Sequence, residues 1–513
     1  MPVGRGAALA LAACTAALYL AAFRVPSAWP LALVAYAPLA IAIRDRRPLA
    51  AGALGLVSGT LICTAGFSWL AGPIAAFGEL PAFAAALAVV AVGLASGARF
   101  ALHAFGAALA SRRGAPFSIA FLASFAAAEA CVPALVPWSL TGAVAHVPVL
   151  VQSAELWGEV PIATALILPG VVLADAVGAW RRRDEPGLAG AAWCAAIAVA
   201  LVAYGAVRME RVDRYVAASP PVRVGVVQPA VPLAGDDADD ERALLRELTL
   251  HEDLARRGAE LVVWPEGAVP RALEARTVDR TLALLDLGVP AIVGATIIER
   301  DGLPRNAVLA VEEGRLVGRY DKQRLLLFSE TLPLATTFPF LRSWSPASGQ
   351  FVPGERAAPL VLAGHAIAAV VCCEDVVADQ VRAASDARAE LLVSLSNDAW
   401  FVDPEPRLHL ALARLRAIEQ RKFFVRATND GVSAVIDPNG RVVAAAPTRR
   451  AATLLADVRW LAGRTPFDRI GGAIPWLSAA VFAALLLLPR RRERGSRRDA
   501  AIRPSRPGPR ESH

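Results

Sequence analysis

Charge is scarce in this sequence. Only 19% of its 513 residues are Asp, Glu, Lys or Arg, whereas 56% are hydrophobic; soluble globular domains carry about 25% charge. That shortage excludes a chain dissolved throughout in water and marks an integral membrane protein. No spaced set of cysteines and histidines suggests zinc, and no Gly-rich phosphate loop, nucleotide fingerprint or internal repeat is present. Of the six cysteines, Cys14, Cys63, Cys131 and Cys194 fall in apolar stretches, where they read as packing residues. Only Cys372 and Cys373 lie in a polar region, and adjacent cysteines rarely satisfy disulfide geometry, so a disulfide framework is excluded. The net charge of +7 invites a nucleic-acid reading. Much of the excess, however, sits in Arg490-Arg-Arg-Glu-Arg494, directly after an apolar stretch, where it suits anionic lipid or topology control.

Long apolar runs are what the chain has in abundance. Stretches near the roughly 20 residues a membrane helix needs cover about 7–23, 28–43, 48–72, 80–104, 116–137, 157–180, 188–207 and 472–489. A cleavable signal peptide is the alternative for the first, but other spans follow closely and Ala21-Ala-Phe-Arg24 is a poor cleavage site. Arg5, then Arg44, Arg46 and Arg47, then Arg112 and Arg113, then Arg181 to Arg183 occupy alternate loops. The positive-inside rule makes those loops cytoplasmic and puts Met209 to about Arg469 on the outer face. The expected organisation is a transmembrane domain over 1–208, an outer catalytic domain over 222–458, a last helix over 472–489 and a basic, disordered cytoplasmic tail over 490–513.

Within 222–458 short apolar runs alternate with charged helical stretches, which predicts a layered α/β domain. Strands are expected over 222–228, 260–264, 290–296, 306–311, 366–371 and 390–396. Helices are expected over 239–255 and about 405–420, with another ending at 282–287. A Pro-Asn-Gly turn joins 431–437 to 441–446 as a hairpin.

Three strand-like runs end in reactive residues. The first, 366–374, ends in Cys372, Cys373 and Glu374. A thiol where a strand meets a helix N-terminus is favoured as thiolate, so a lowered pKa is expected at Cys372. Alternatively, both cysteines are small core residues. The second run is Leu261-Val-Val-Trp-Pro-Glu-Gly267, and the third is Arg319-Tyr-Asp-Lys-Gln-Arg324, followed by Phe328-Ser-Glu330. Glu266, Lys322 and Cys372 supply a base, a cation for an oxyanion and a nucleophile. Taken alone, Lys322 reads rather as a surface lysine beside Asp321 and Arg324.

The Trp-Pro-Glu, Tyr-Asp-Lys and Cys-x-Glu segments, in this order, resemble the Glu-Lys-Cys triad of the nitrilase superfamily. Ser396-Asn-Asp-Ala-Trp-Phe401 and Arg426-Ala-Thr-Asn-Asp-Gly-Val-Ser433 extend the likeness. With apolar spans on both sides, the chain resembles the apolipoprotein N-acyltransferases, the membrane-embedded members. The resemblance implies a polytopic α-helical membrane domain of about eight spans joined to a four-layer α-β-β-α sandwich. It implies catalytic roles for Glu266, Lys322 and Cys372, and supporting roles for Glu330, Glu374 and Asn306. On the residues alone, Glu330 reads as a helix-start carboxylate, Glu374 as a turn anchor and Asn306 as a loop cap.

The resemblance further implies a bacterial inner-membrane enzyme, with its catalytic domain on the periplasmic face and no cofactor. Its acyl donor would be a glycerophospholipid, and its acceptor the α-amine of a diacylglyceryl-cysteine apolipoprotein. Three departures from the family pattern bear on the pocket: Cys373 replaces an aromatic residue, 229–234 lacks an Asn-Ile pair and a nearby tryptophan, and Val402 replaces a glycine. Phe67-Ser-Trp69 and Pro137-Trp138 read either as an interfacial belt or as part of the lipid site. The aromatic loop over 334–350 is a candidate lid. Two other readings stand beside the transferase: a membrane-tethered nitrilase-type amidase, and a catalytically silent scaffold of lipoprotein maturation.

Overall fold

A computed structural model describes residues 3–78, 80–184, 187–232, 237–326, 329–332, 337–338, 340, 351–386, 388–399, 401 and 405–487. The tail over 490–513, most of the 334–350 loop, Trp400 and Val402 lie outside the described residues.

Among the described residues, seven helical stretches are long and apolar enough to cross a membrane. They are Arg5–Arg24, Pro26–Ile43, Pro48–Gly66, Ala82–Arg112, Glu159–Arg182, Ala189–Ala218 and Pro466–Leu486, and the apolar helix Phe117–Cys131 is shorter. In chain order the helices of this half are α1 (Arg5–Arg24), α2 (Ala37–Ile43), α3 (Pro48–Gly66), α4 (Ala71–Gly78), α5 (Ala82–Arg112), α6 (Phe117–Cys131), α7 (Pro148–Val151), α8 (Ala154–Trp157), α9 (Glu159–Arg182) and α10 (Ala189–Ala218). The membrane protein is therefore polytopic.

The span expected over 28–43 is broken. Pro26–Leu33 is a 3₁₀ helix with Pro30 inside it, and α2 resumes only at Ala37, because proline has no N–H to donate and its ring crowds the preceding turn. The 48–72 span stops at Gly66 and continues as the separate α4. Helix α10 runs to Ala218 rather than 207, carrying charged residues out towards the first strand. Helices α3 and α5 pack through glycines spaced four apart on each. A Cβ at Gly59 would stand 2.8 Å from the Gly97 Cα, and one at Gly55 only 2.3 Å from the Phe100 carbonyl oxygen. Small residues at that spacing let backbones touch where lipid gives no hydrophobic drive to associate. Cys63 is buried, but Cys14 and Cys131 are exposed and Cys194 half-exposed. These three therefore reach the outer surface, although the Cys131 thiol still donates to the Pro475 carbonyl at 3.3 Å: in a membrane an apolar helix face can meet lipid instead of protein.

Among the described residues, the second half contains thirteen strands: β1 (Pro221–Gln228), β2 (Leu261–Val263), β3 (Val269–Glu274), β4 (Ala291–Ile298), β5 (Pro304–Glu312), β6 (Arg315–Asp321), β7 (Leu360–Leu362), β8 (His365–Val371), β9 (Leu391–Ser396), β10 (Phe424–Thr428), β11 (Ala434–Ile436), β12 (Val442–Ala445) and β13 (Ala452–Arg459). Its helices are α11 (Asp237–Arg256), α12 (Val278–Leu285), α13 (Ala378–Ser385) and α14 (Glu405–Gln420), followed by α15 (Pro466–Ile470) and α16 (Ile474–Leu486). One sheet has the order β13-β1-β2-β4-β5-β6 with β3 beside β4, and the other β12-β11-β10-β9-β8-β7.

Alternation along the strands builds four layers. On β8, Ile367, Ala369 and Val371 join Val224, Val226 and Val308 of the other sheet in one core, while Ala368 and Val370 face Val381, Ala413 and Ala417 of α13 and α14. On the far side, α11 and α12 cover the first sheet through Leu254 and Leu282. Helix α14 has two apolar faces, and Leu412, Leu415 and Ile418 pack into the membrane-helix core. Arg421 extends that seam, donating to Glu155 Oε2 at 2.6 Å and Gln152 Oε1 at 2.7 Å.

Strands β3, β7, β10 and β13 were not expected. An edge piece of three residues such as β7 is too short to carry a pattern, and β10 is buried on both faces, so it lacks period-2 alternation. The hairpin strand expected over 431–437 is only Ala434–Ile436, since 429–433 is spent on a polar loop.

Candidate active site

Glu266 follows β2 on a tight turn. Trp264 is buried and its indole N–H donates to His251 Nδ1 at 3.1 Å, while Gly267 adopts φ +64. The turn lies on β4 at Gly294, where a Cβ would stand 2.2 Å from the Pro265 carbonyl oxygen, so only glycine admits it. Asn306 comes from β5, and Lys322 follows β6, its backbone N–H bonded to the Asn306 carbonyl at 2.8 Å.

These groups form a closed cluster. Lys322 Nζ donates to Glu266 Oε1 at 3.2 Å and to Glu330 Oε1 at 2.9 Å. Asn306 Nδ2 donates to the same two oxygens at 2.7 and 2.8 Å. Glu330 Oε2 accepts the Leu326 N–H at 2.7 Å, so Glu330 also fixes the loop beyond the lysine. Burial opposes the charge on Lys322, yet Glu266 and Glu330 hold its pKa well above that of a free lysine. Burial and Glu330 push Glu266 upwards, against Lys322 and Asn306. The result is a buried carboxylate that accepts a proton more readily than a free glutamate.

Cys372 sits at the end of β8 with φ +52, a left-handed conformation costing about 1–2 kcal/mol in a non-glycine residue. Glu374 holds it there. Its Oε2 accepts the Val371 N–H and the Tyr320 hydroxyl, each at 2.8 Å, and its Oε1 accepts the N–H groups of Gln323 at 2.7 Å and Arg324 at 2.9 Å. All these partners are backbone amides or a tyrosine, so Glu374 anchors the elbow to the segment carrying Lys322.

The lowered thiol pKa expected from a helix N-terminus is reversed. A hydrogen bond with the Cys373 thiol, burial and the Glu266 carboxylate push Cys372 well above its usual range, with Lys322 opposing. The helical turn that Cys372 opens is a five-residue 3₁₀ segment, Cys372–Val376, too short to outweigh burial. At rest Cys372 is therefore a thiol, close enough to the Glu266 carboxylate to feel its charge. Cys373 is half-exposed, its Sγ 3.7 Å from the Arg324 carbonyl oxygen.

One polar constellation here is only partly marked in the sequence. Asp375, in the turn after Cys372, accepts from Arg426 Nε at 2.9 Å, from Ser394 Oγ at 2.8 Å and from His409 Nε2 at 2.7 Å. His409 Nδ1 meets Asp398 Oδ1 at 3.1 Å, and Arg426 Nη2 donates to Asp398 Oδ2 at 3.0 Å. Despite burial, Asp375 and Asp398 raise His409 to about 10, making it an imidazolium at neutral pH. Asp398 and Arg426 lie within the motifs noted above; His409, on an ordinary helical stretch, gives no signal.

The thiol opens into an apolar cavity of about 700 Å³. Its walls come from both halves: Phe67, Trp69 and Val92 from the membrane helices, Leu408 and Leu412 from α14. Trp69 meets Phe401 edge-on at 4.5 Å, and Trp138 packs on Phe23 at 4.5 Å and Phe67 at 5.0 Å. The aromatics read as a possible interfacial belt thus line the cavity beside the thiol.

Residues 223–465 match the carbon-nitrogen hydrolase family, and residues 15–172 match the apolipoprotein N-acyltransferase N-terminal domain. An apolipoprotein N-acyltransferase of Azotobacter vinelandii is 33% identical over 505 residues, covering 91% of this chain and 92% of its own. One from Ralstonia nicotianae is 30% identical over 516 residues, covering 95% and 94%, and one from Geobacter metallireducens is 29% identical over 493 residues, covering 90% and 92%. At that identity and coverage, across both the membrane and the catalytic half, the chain belongs to the apolipoprotein N-acyltransferase family.

Proposed function

We propose that this enzyme transfers an acyl chain from a membrane glycerophospholipid to the α-amine of an apolipoprotein's diacylglyceryl-cysteine, through a thioester on Cys372. The observation that carries the reading is the position of the Cys372 thiol, between the Glu266–Lys322 cluster and an apolar cavity walled by membrane helices. Pockets of several hundred Å³ suit a lipid chain, and both substrates keep their chains in an apolar phase throughout.

In the first half-reaction Glu266 takes the Cys372 proton as sulfur attacks the donor ester carbonyl, and Lys322 stabilises the oxyanion. Collapse expels the lysophospholipid alkoxide, which recovers the proton from Glu266. In the second half the acceptor amine attacks the thioester, Glu266 removes the ammonium proton, and the thiol re-forms. Asn306 and Glu330 position the base and the lysine, and Glu374 the elbow. An ester donor is already activated, so the scheme calls on no cofactor.

The arginine-rich loops support a periplasmic catalytic domain over 222–458, a membrane domain over 1–208, a last span over 472–489 and a cytoplasmic tail over 490–513, in the inner membrane. The test is transfer of a labelled chain from phosphatidylethanolamine to a diacylglyceryl peptide by the purified protein. Label on the peptide amine supports the reading, whereas labelled free fatty acid with the peptide untouched makes the protein a hydrolase.

A further inference from the structure

Among the described residues lining the cavity, three carry charge, and two of them are already engaged. Glu405 pairs with Arg24 at 3.2 Å, and His409 lies between Asp375 and Asp398. The third is Arg324. Its backbone is pinned beside the nucleophile, with its N–H on Glu374 Oε1 at 2.9 Å and its carbonyl 3.7 Å from the Cys373 sulfur. Its side chain is exposed, and its guanidinium has no carboxylate or carbonyl partner among the described residues. Among its described residues, an otherwise apolar cavity thus offers one positive charge without an anionic partner, on the residue whose carbonyl oxygen lies 3.7 Å from the Cys373 sulfur. Ser329 and Asn397 add neutral polar groups to the same lining.

That combination selects an amphiphile whose anionic group lies a few bonds from a reactive carbonyl. Guanidinium is suited to phosphate, because its planar fork meets two oxygens at once. We propose that Arg324 binds the phosphodiester of the acyl donor, holding the headgroup while an ester carbonyl of the same glycerol meets Cys372. The inference rests on the phospholipid-donor reading above. It makes Arg324 a residue of the first half-reaction alone, because the diacylglyceryl acceptor has no phosphate.

The experiment compares wild type, R324A and R324K in mixed micelles, following acylation of Cys372 by intact-protein mass spectrometry. The donors are phosphatidylethanolamine and a diacylglycerol with the same chains. With phosphatidylethanolamine, R324A should lose about 10- to 100-fold in acylation efficiency, chiefly through KM, the scale of a lost charge-assisted hydrogen bond. R324K should recover part of that loss. With diacylglycerol, and in aminolysis of a preloaded thioester, R324A should match wild type.

An unchanged R324A rate with phosphatidylethanolamine would overturn the inference, as would equal losses with both donors, which would mark a structural role. Inorganic phosphate that competes at constant ionic strength as strongly as R324A impairs would reassign the site to the free anion and overturn donor-lipid binding. Wild-type protein that loads from diacylglycerol but not from phosphatidylethanolamine would overturn the donor reading itself, and this inference with it.

Discussion

Replacing Lys322 by methionine keeps the length and apolar bulk of the side chain and deletes one buried charge. The side chain is 1% exposed, and its ammonium touches two carboxylates, Glu330 at 2.9 Å and Glu266 at 3.2 Å. Removing one partner of a buried ion pair costs about 3–5 kcal/mol, because the other is left uncompensated. Here two carboxylates would be left sharing the Asn306 amide, and like charges that close cannot both stay ionised in a dry site. At least one would take up a proton, with its folded-state pKa above its unfolded value. The folded variant then binds more protons than the unfolded chain, so its stability falls as pH rises.

K322M should therefore sit furthest below wild type near pH 8 and approach it towards pH 5, in apparent Tm measured in detergent. Acylation of Cys372 should fall by about 10²- to 10³-fold, the scale of a lost oxyanion donor, with a further loss from protonation of Glu266. Acylation within about threefold of wild type, well short of that scale, together with a Tm difference constant from pH 5 to 8, would refute the reasoning.

Replacing Cys373 by alanine removes the hydrogen bond that leads the upward shift of Cys372, so iodoacetamide should label Cys372 at lower pH in C373A than in wild type. E374Q leaves the size of the anchor unchanged but weakens its grip on four donors. Loss of charge-assisted bonds worth about 1.5–3 kcal/mol each should reduce acylation at least tenfold while Lys322 stays buried, as read by its slow acetylation. His409 titrates at about 10 in the folded protein, above its unfolded value near 6.5. Its contribution to stability is therefore fully present below about pH 6.5 and lost as pH rises towards 10, so H409Q should show a flatter apparent Tm between those limits than wild type. Leucine at Gly59 has no space against Gly97, and G59L should unfold at lower temperature and release acyl chains more slowly, through displacement of α3 from α5.

Much of this molecule is legible in its sequence where one physical rule governs a stretch by itself. Apolar length places the spans, and the runs ending at Glu266, Lys322 and Cys372 stand out because reactive groups close buried strands. The features that escape depend on contacts between distant segments. Pro30 breaks a span that length alone makes continuous. Strand β13 pairs with β1 across more than two hundred residues, from Pro221 with Arg459 to Gln228 with Ala452, and neither edge carries a local mark of the other. The pKa direction at Cys372 runs against expectation because the sequence displays the strand end but hides the burial, the neighbouring Cys373 thiol and the facing Glu266. The Asp375–His409–Asp398–Arg426 network joins four segments and exists only once β8, β9, β10 and α14 have packed. Family resemblance reaches the triad, whereas Arg324 stands out only when the other charged groups lining the cavity are seen to be paired among the described residues.

The most direct test of the central claim is peptide mass spectrometry of the purified protein after incubation with phosphatidylethanolamine, in search of a hydroxylamine-labile acyl group. The account predicts an adduct on Cys372, absent from C372A, discharged rapidly by a diacylglyceryl peptide and slowly by water. No adduct on Cys372, or one that water discharges as fast as the peptide does, would contradict it.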